Sequence, residues 1–512
     1  MAILSMMDVD RVYPTLSDIK RSHCIVIIWC CVYAFFWTTA SFFLDPTVPY
    51  DAIEALNWAS NGEWGSPKNP WFVGWVSRVF LYSPSPEFSS MYWYLSHYTV
   101  ISVGMLGCYR LTYKLSKSIS LSWLGLLILN FSGVINFDAI PYNDNYLLFG
   151  TWPWLLLLFI KSVWEEPRWW LLFGLTAGCS AMAKYTTFAP IMMIFIVSLT
   201  VKSVRRAWSE PYFYAAILIF VTLTIPNLFW MVENNFSSIK WVESQVATQF
   251  NLSSWLSLLL VFYPLVLLGI IIVKRSVKLS TYVSEQLKIT TVILFLPLLI
   301  IMGWFTFHSG GRLVEWLHPF FMPAPAILVA YLSPNTISSL SRIINTLVVI
   351  SITIFGGYIF VLTMNVKNAG EHLSGVKSLS REAKAFWDEN NEGKLTLVGG
   401  DDLSQWFTFY IAPHPKITRR WNSDTLPNVY NRHITSEQIT RQGALLVGKV
   451  GEGCHEGVFA YFTDEWMEFK PTIIKEVFYQ RSPKEVKERV CLGIVRGFDP
   501  IVSRHFFPLL VA

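Results

Sequence analysis

Residues 51–75 read DAIEALNWASNGEWGSPKNPWFVGW. The stretch gathers Asp51, Glu54, Glu63 and Lys68 directly behind the first long apolar segment, and the reading of the chain turns on it. Its first half has helical spacing, with Ile53, Leu56 and Trp58 apolar and Asp51 and Glu54 one turn apart. Gly62, Gly65 and Pro67 interrupt that helix. A second apolar piece, 71–79, starts behind Pro70. Two short amphipathic helices with a polar hinge, lying flat after a membrane span, are expected to floor an interfacial pocket. The plainer alternative is a surface loop with chance acids. Glu63, at the helix break, is expected to be a bystander.

The composition excludes an ordinary soluble enzyme. Of 512 residues 53% are hydrophobic and only 15% charged, with a mean hydropathy of +0.41. The expected fold class is a polytopic α-helical membrane protein with a C-terminal soluble α/β domain. About eleven apolar segments of roughly membrane-crossing length lie near 22–44, 91–113, 119–139, 145–163, 169–185, 187–203, 211–231, 254–273, 289–307, 316–333 and 342–364. Residues 1–365 therefore form a transmembrane domain, with an amphipathic outer loop at 45–90. Residues 366–512 form a second domain, in which charges rise and short strand-like pieces occur at 395–398 and 444–447. The polar residues 1–21 lack the pattern of a cleaved leader, so the first span is expected to be retained.

The net charge of +5 does not indicate nucleic acid, because the Lys and Arg residues flank membrane segments. With the N-terminus in the cytoplasm, about sixteen of them fall on the cytoplasmic side and about five on the other. An odd span count then places the C-terminal domain outside. Cys454 and Cys491 can pair there, while Cys24, Cys30, Cys31, Cys108 and Cys179 fall within spans and read as packing residues. No CxxC or His-rich zinc pattern occurs.

This orientation collects the unusual residues on one side: Asp51, Glu54 and Lys68; Asp138 and Asp144 around FDAIPYNDN; Lys184 in AMAKYT; Glu233 in VENNF; and Arg312, Glu315 and His318 in HSGGRLVEWLHP. Ionisable groups at membrane depth are functional candidates. Taken singly, each has a plainer role. Lys184 can snorkel, His318 can pack beside Pro319, Glu315 can pair with Arg312, and Asp144 can cap the fourth span.

In order and topology these motifs resemble the C-type membrane glycosyltransferases. That group includes protein O-mannosyltransferases and the bacterial transferases that add aminoarabinose or galacturonic acid to lipopolysaccharide. Asp51, Glu54, Trp64-Gly65, Lys68 and Pro70 stand where such proteins carry an outer-loop Asp, an aromatic-Gly pair and a cation before His-Pro. Asn69 replaces the usual His. Asn143-Asp144, Lys184 to Thr186, Pro226 to Phe236 and GGDDLSQWFTFYIAPHP match further motifs.

The resemblance implies an inverting transferase that moves a sugar from a polyprenyl phosphate to a hydroxyl of an envelope acceptor, lipid A or lipopolysaccharide core, at the outer face of the inner membrane. It makes Asp51 the leading general base. Asp144 would hold a substrate or share that role. Lys68, Lys184 and Arg312 are the cations to place around the leaving phosphate. Glu54, Asn69, Asp138, Glu315 and His318 are candidate substrate-orienting groups. No cofactor is required, although Asp51 and Asp144 could together take Mg²⁺ or Mn²⁺. The partners are the lipid-linked sugar, a lipid or lipopolysaccharide acceptor and membrane lipid, with no nucleic acid. The rival class, a lipid or sugar transporter, would be expected to carry inverted repeats and paired broken helices, and neither is visible.

Overall fold

The computed structural model describes residues 15–44, 47–78, 85–136, 144–274, 277–309, 313–333, 337–363, 375–417, 434–449, 454, 456–459, 469–480 and 486–497. Asp138 and Arg312 lie outside them, as does Asn143.

The chain opens with α1 (Leu16–Leu44). Thr15 and Asp18 cap it reciprocally: the Thr15 N–H donates to Asp18 Oδ2 at 2.9 Å, and the Asp18 N–H to Thr15 Oγ1 at 3.2 Å. Two short helices follow, α2 (Tyr50–Ser60) and α3 (Trp71–Ser77). The bundle continues as α4 (Pro86–Ser116), α5 (Ile119–Phe131), α6 (Tyr146–Trp164), α7 (Trp169–Ala181), α8 (Phe188–Thr200), α9 (Lys202–Arg205), α10 (Pro211–Glu233) and α11 (Ser237–Ser244). It ends with α12 (Ser253–Lys274), α13 (Glu285–Thr306), α14 (Leu313–Phe321), α15 (Ala324–Val329) and α16 (Ile337–Thr363).

Each of the eleven expected spans falls on helix, but they are not eleven equal spans. Among the described residues, six helices are long and apolar enough to cross a membrane: α1, α6, α10, α12, α13 and α16. A seventh arises if the pair bent by 93° after Thr200 is counted as one span. α5 and α7 have 13 residues each, and the expected segment at 316–333 breaks into α14 and α15. The physical reason is visible in α5, where every residue from Ser120 to Asn130 is buried. A helix wrapped by protein on all sides is as apolar as one facing lipid and need not reach both interfaces, so hydropathy alone does not separate the two. Of the cysteines expected to pack within spans, Cys30 and Cys108 are buried, whereas Cys24 and Cys31 face outward.

After the bundle come α17 (Val376–Asn390), β3 (Leu397–Gly400), α18 (Ser404–Tyr410), β4 (Lys416–Ile417), α19 (Ser436–Gln442), β5 (Ala444–Lys449), β6 (Ile473–Tyr479) and β7 (Glu488–Val495). The strands form one mixed sheet in the order β4-β3-β5-β7-β6. β3 is parallel to β4 and β5, and β7 is antiparallel to β5 and β6. The strand-like pieces expected at 395–398 and 444–447 fall on β3 and β5. A separate two-residue pair, β1 (Ala247–Thr248) with β2 (His308–Ser309), links the segment after α11 to the end of α13. A disulfide joins Cys454 to Cys491 of β7. The sheet does not stand apart from the bundle, because one continuous apolar core includes Trp37 of α1, Leu56 of α2, Trp406 of α18 and Leu492 of β7.

α2 is the element this arrangement encloses. It was expected to lie flat in the interface, yet every residue from Ala52 to Ala59 is buried. α3 packs against it so closely that a Cβ on Gly74 would stand 2.5 Å from the Ala55 carbonyl oxygen. α18, itself buried throughout, covers α2 from the sheet side. Trp406 Nε1 donates to the Val48 carbonyl at 3.0 Å, the Val48 N–H to the Tyr410 hydroxyl at 3.1 Å, and Asn57 Nδ2 to Gln405 Oε1 at 2.6 Å. Overpacking of this kind costs about 1–3 kcal/mol, so Gly74→Ala should lower the thermal unfolding midpoint in detergent. Gly303→Ala, whose new Cβ meets nothing within 4 Å, should leave the midpoint unchanged or raise it.

Candidate active site

Two clusters, each pairing carboxylate with lysine, meet on the loop between α2 and α3. The first is carried by α2. Asp51 and Glu54 lie one turn apart, and both accept from the Lys68 ammonium, at 3.2 Å and 2.6 Å. The second sits at the start of α6. Asp144 Oδ1 accepts from Lys184 Nζ at 2.5 Å, and its Oδ2 accepts from Asn69 Nδ2 at 2.6 Å. Lys68 and Asn69 are adjacent, so one dipeptide ties the α2 carboxylates to the α6 carboxylate.

The local chain explains how that dipeptide is held. The Ser66 N–H and hydroxyl both donate to the Asn69 carbonyl at 2.8 Å, and the Asn69 N–H donates back to Ser66 Oγ at 2.8 Å. A bridge between Gly65 and Pro70 closes the turn. Lys184 follows the end of α7, where its N–H donates to the Ser180 carbonyl at 3.2 Å.

The two clusters differ in access. The Asp51 side chain is 33% exposed and that of Glu54 only 2%. Burial works against the charge on Lys68, but the Glu54 and Asp51 carboxylates and their hydrogen bonds outweigh it and hold its pKa above the ordinary range. Burial likewise pushes the Asp144 pKa up, yet the Lys184 charge and bond, the Asn69 bond and the charge of Lys68 together hold it below the usual value. Asp144 is thus a fixed, weakly basic anion, and Asp51 is the more accessible carboxylate.

Glu315 and His318 lie on α14, beside the second cluster. The Glu315 carbonyl accepts from Asn145 Nδ2 at 2.8 Å, which anchors α14 to the residue after Asp144. His318 is buried, with its ring centroid 6.4 Å from that of Phe149. The expected Glu315–Arg312 pairing and the placement of Asp138 fall outside the described residues. Asp51 and Asp144, the pair considered for Mg²⁺ or Mn²⁺, each engage a lysine, and among the described residues no three His, Cys, Asp or Glu side chains gather as a metal set.

Glu63 is not the bystander that its place at a helix break suggests. It is buried and accepts from Trp230 Nε1 at 2.6 Å. Asn227 Nδ2 donates to the Trp64 carbonyl at 2.8 Å, Tyr185 Oη to Asn227 Oδ1 at 3.0 Å, and Ser238 Oγ to the Ser66 carbonyl at 2.9 Å. Within the motif 226–236, then, Asn227 and Trp230 grip the loop, while Glu233 is exposed. Gln405 and Asn57, which couple α18 to α2, were also missed. The signal for α18 lay in its apolar run WFTFY, which sequence reasoning left inside the second domain.

The fold is similar to that of a C-type membrane glycosyltransferase. Among solved structures the chain is similar to ArnT from Cupriavidus metallidurans bound to undecaprenyl phosphate, with a TM-score of 0.58 at 13% identity over 91% of this chain and 97% of that one. The same protein in the apo state matches with a TM-score of 0.55 at the same identity and coverage. Residues 67–230, which hold Lys68, Asn69, Asp144 and Lys184, match the family model of dolichyl-phosphate-mannose-protein mannosyltransferases. No curated protein matches the chain by sequence.

Removing one member of a partly buried ion pair strands the other, at a cost below the roughly 3–5 kcal/mol of a fully buried pair. Lys184→Ala should therefore lower the unfolding midpoint markedly. Adding Asp144→Asn to Lys184→Ala should recover much of the loss, because the stranded charge is gone. A lysine that merely snorkels would give a Lys184→Ala protein as stable as the parent.

Proposed function

We propose that the protein is an inverting glycosyltransferase that moves a sugar from a polyprenyl phosphate to a hydroxyl of lipid A or lipopolysaccharide core, at the outer face of the inner membrane. The observation that carries this reading is the linked pair of clusters, Asp51–Glu54–Lys68 and Asp144–Asn69–Lys184, at one end of a membrane bundle. The ArnT-like fold supports it, since that protein was solved with undecaprenyl phosphate bound. So does the match to mannosyltransferases named for a dolichyl-phosphate-linked sugar.

The acceptor hydroxyl attacks the anomeric carbon from the face opposite the phosphate. A bond from acceptor oxygen to anomeric carbon forms as the bond from anomeric carbon to phosphate oxygen breaks, which inverts the centre. The hydroxyl proton passes to a carboxylate, and the bonding pair leaves with the polyprenyl phosphate. Asp51 takes the proton, because it is the most exposed of the three carboxylates. Asp144, kept anionic and weakly basic, orients the sugar or the acceptor. Lys68 and Lys184 stabilise the charge that develops on the phosphate from the positions in which their carboxylate partners already hold them. Arg312 is the third candidate cation. No divalent cation is needed for this sequence of events.

The oriented topology belongs to the same reading. The Lys and Arg bias places the ends of α5 and α6 on different sides, and the Cys454–Cys491 disulfide suits an oxidising compartment. A reporter fused after residue 512 should therefore be active only if it functions outside the cytoplasm. Activity of a strictly cytoplasmic reporter at that position would overturn the orientation.

General-base catalysis contributes about 10²–10⁴ in rate. With radiolabelled polyprenyl-phosphate sugar and purified protein, Asp51→Asn should transfer at least about a hundredfold more slowly while retaining donor binding. Asp144→Asn should act more on substrate affinity. If Asp51→Asn transfers at the parent rate, the base is another group. If the parent protein moves the lipid across vesicles without ever transferring sugar, the enzyme reading fails.

A further inference from the structure

A second polar cleft opens at the opposite end of α6 from Asp144, about 27 Å away along the 19-residue helix at 1.5 Å per residue. It encloses about 590 Å³ between the ends of α4, α6 and α7, with His23 of α1 at its edge. Its lining holds four cations, Arg110, Lys114, Lys117 and Lys161, against one carboxylate, Glu165. Glu165 is claimed by Lys114 and lies 3.9 Å from Lys161, so its single charge leaves three positive charges uncompensated in the cleft.

Those cations are not simply dissolved in water. The Lys161 ammonium stands 3.9 Å above the centre of the Trp169 ring, and the Arg110 guanidinium 5.5 Å from that of Trp154. The Arg110 Nε is buried and has no hydrogen-bond partner among the described residues. A buried donor without an acceptor is costly and uncommon, so this one awaits a ligand oxygen. The remaining wall is mostly apolar: Leu157, Leu158 and Leu172, with Thr176 beside them, continue the cleft along the bundle, and Leu172 belongs to an exposed face of α7 shared with Leu171 and Leu175.

Positive charge at one end with an apolar wall running along the membrane-facing side suits a lipid rather than a soluble anion. We propose that this cleft binds the phosphate head group of an anionic glycerophospholipid, with Arg110 and Lys161 holding the phosphate and an acyl chain lying against Leu172 and Thr176. The Lys and Arg bias assigns this end to the cytoplasmic leaflet. The site shares no residue with the clusters around Asp51 and Asp144 and does not depend on their chemistry.

The test is native mass spectrometry of the full-length protein in detergent, with phosphatidylglycerol or phosphatidylcholine added at equal concentration. The parent should retain one phosphatidylglycerol and about tenfold less phosphatidylcholine. Charge-assisted hydrogen bonds are strong enough that Arg110→Gln with Lys161→Gln should lower retention by about tenfold or more. Lys117→Gln, an exposed change in the same lining that spares the fold, should lower it a few-fold. Lys202→Gln with Arg206→Gln removes equal charge from exposed positions outside the cleft and should leave retention unchanged. Equal retention of the two lipids overturns the proposal. So does undiminished retention by the cleft variants, or an equal loss in the Lys202/Arg206 control, which would reduce the effect to general surface charge. Displacement of the lipid by millimolar glycerol 3-phosphate would assign the cleft to a soluble phosphate instead.

Discussion

The dipeptide Lys68–Asn69 is the constraint on which one end of the bundle rests. Charges taken out of water must be paired, or they cost several kcal/mol each. Three carboxylates and two lysines stand close together here, on segments far apart in the chain. Lys68 balances two of the carboxylates on α2, Lys184 balances the third beside α6, and Asn69 joins the two groups through a neutral donor. The loop between α2 and α3 therefore has little freedom to move without uncovering a charge. Its closed turn at Ser66, and the grip of Trp230, Asn227 and Ser238 upon it, follow from the same need for fixed partners.

Rigidity of that loop depends in turn on how α2 is enclosed. The helix is only 11 residues long, too short to be stable alone in water. It persists because α3 packs on one side and α18 on the other, and because the buried Asn57 Nδ2 donates to Gln405 Oε1, whose amide nitrogen donates in turn to the Tyr50 hydroxyl. The C-terminal sheet thus acts as a buttress. By holding α18 against α2 it fixes the orientation of Asp51 and Glu54, even though none of its strands carries a group of the two charge clusters.

The bundle also divides its polar chemistry between its two ends. At one end the lysines are matched by carboxylates almost one for one, which leaves a site whose charges are positioned and internally satisfied. At the other, cations outnumber acids and lean on tryptophan rings. α6 spans the distance between them. Its middle, from Leu155 to Ile160, is wholly apolar and buried, so no charged side chain of that stretch links the two ends, which lie about 27 Å apart.

Hydrophobic length, the Lys and Arg bias and the order of short motifs were enough, on sequence alone, to indicate a polytopic bundle of this type with a sheet at its end. They also singled out Asp51, Glu54, Lys68, Asn69, Asp144 and Lys184 as one group. These features are legible because membrane burial imposes a long apolar run, and because a charged residue is conspicuous against it. Tertiary structure alone decided which residues touch. That Lys68 serves α2 while Asn69 serves Asp144 depends on how the loop turns between them, and that Glu63 is buried against Trp230 and α2 lies enclosed rather than flat depends on contacts between residues more than a hundred positions apart. The span count differed for the same reason. An apolar helix wrapped by protein and one wrapped by lipid share a composition, and only the packing of neighbours such as those around α5 tells them apart.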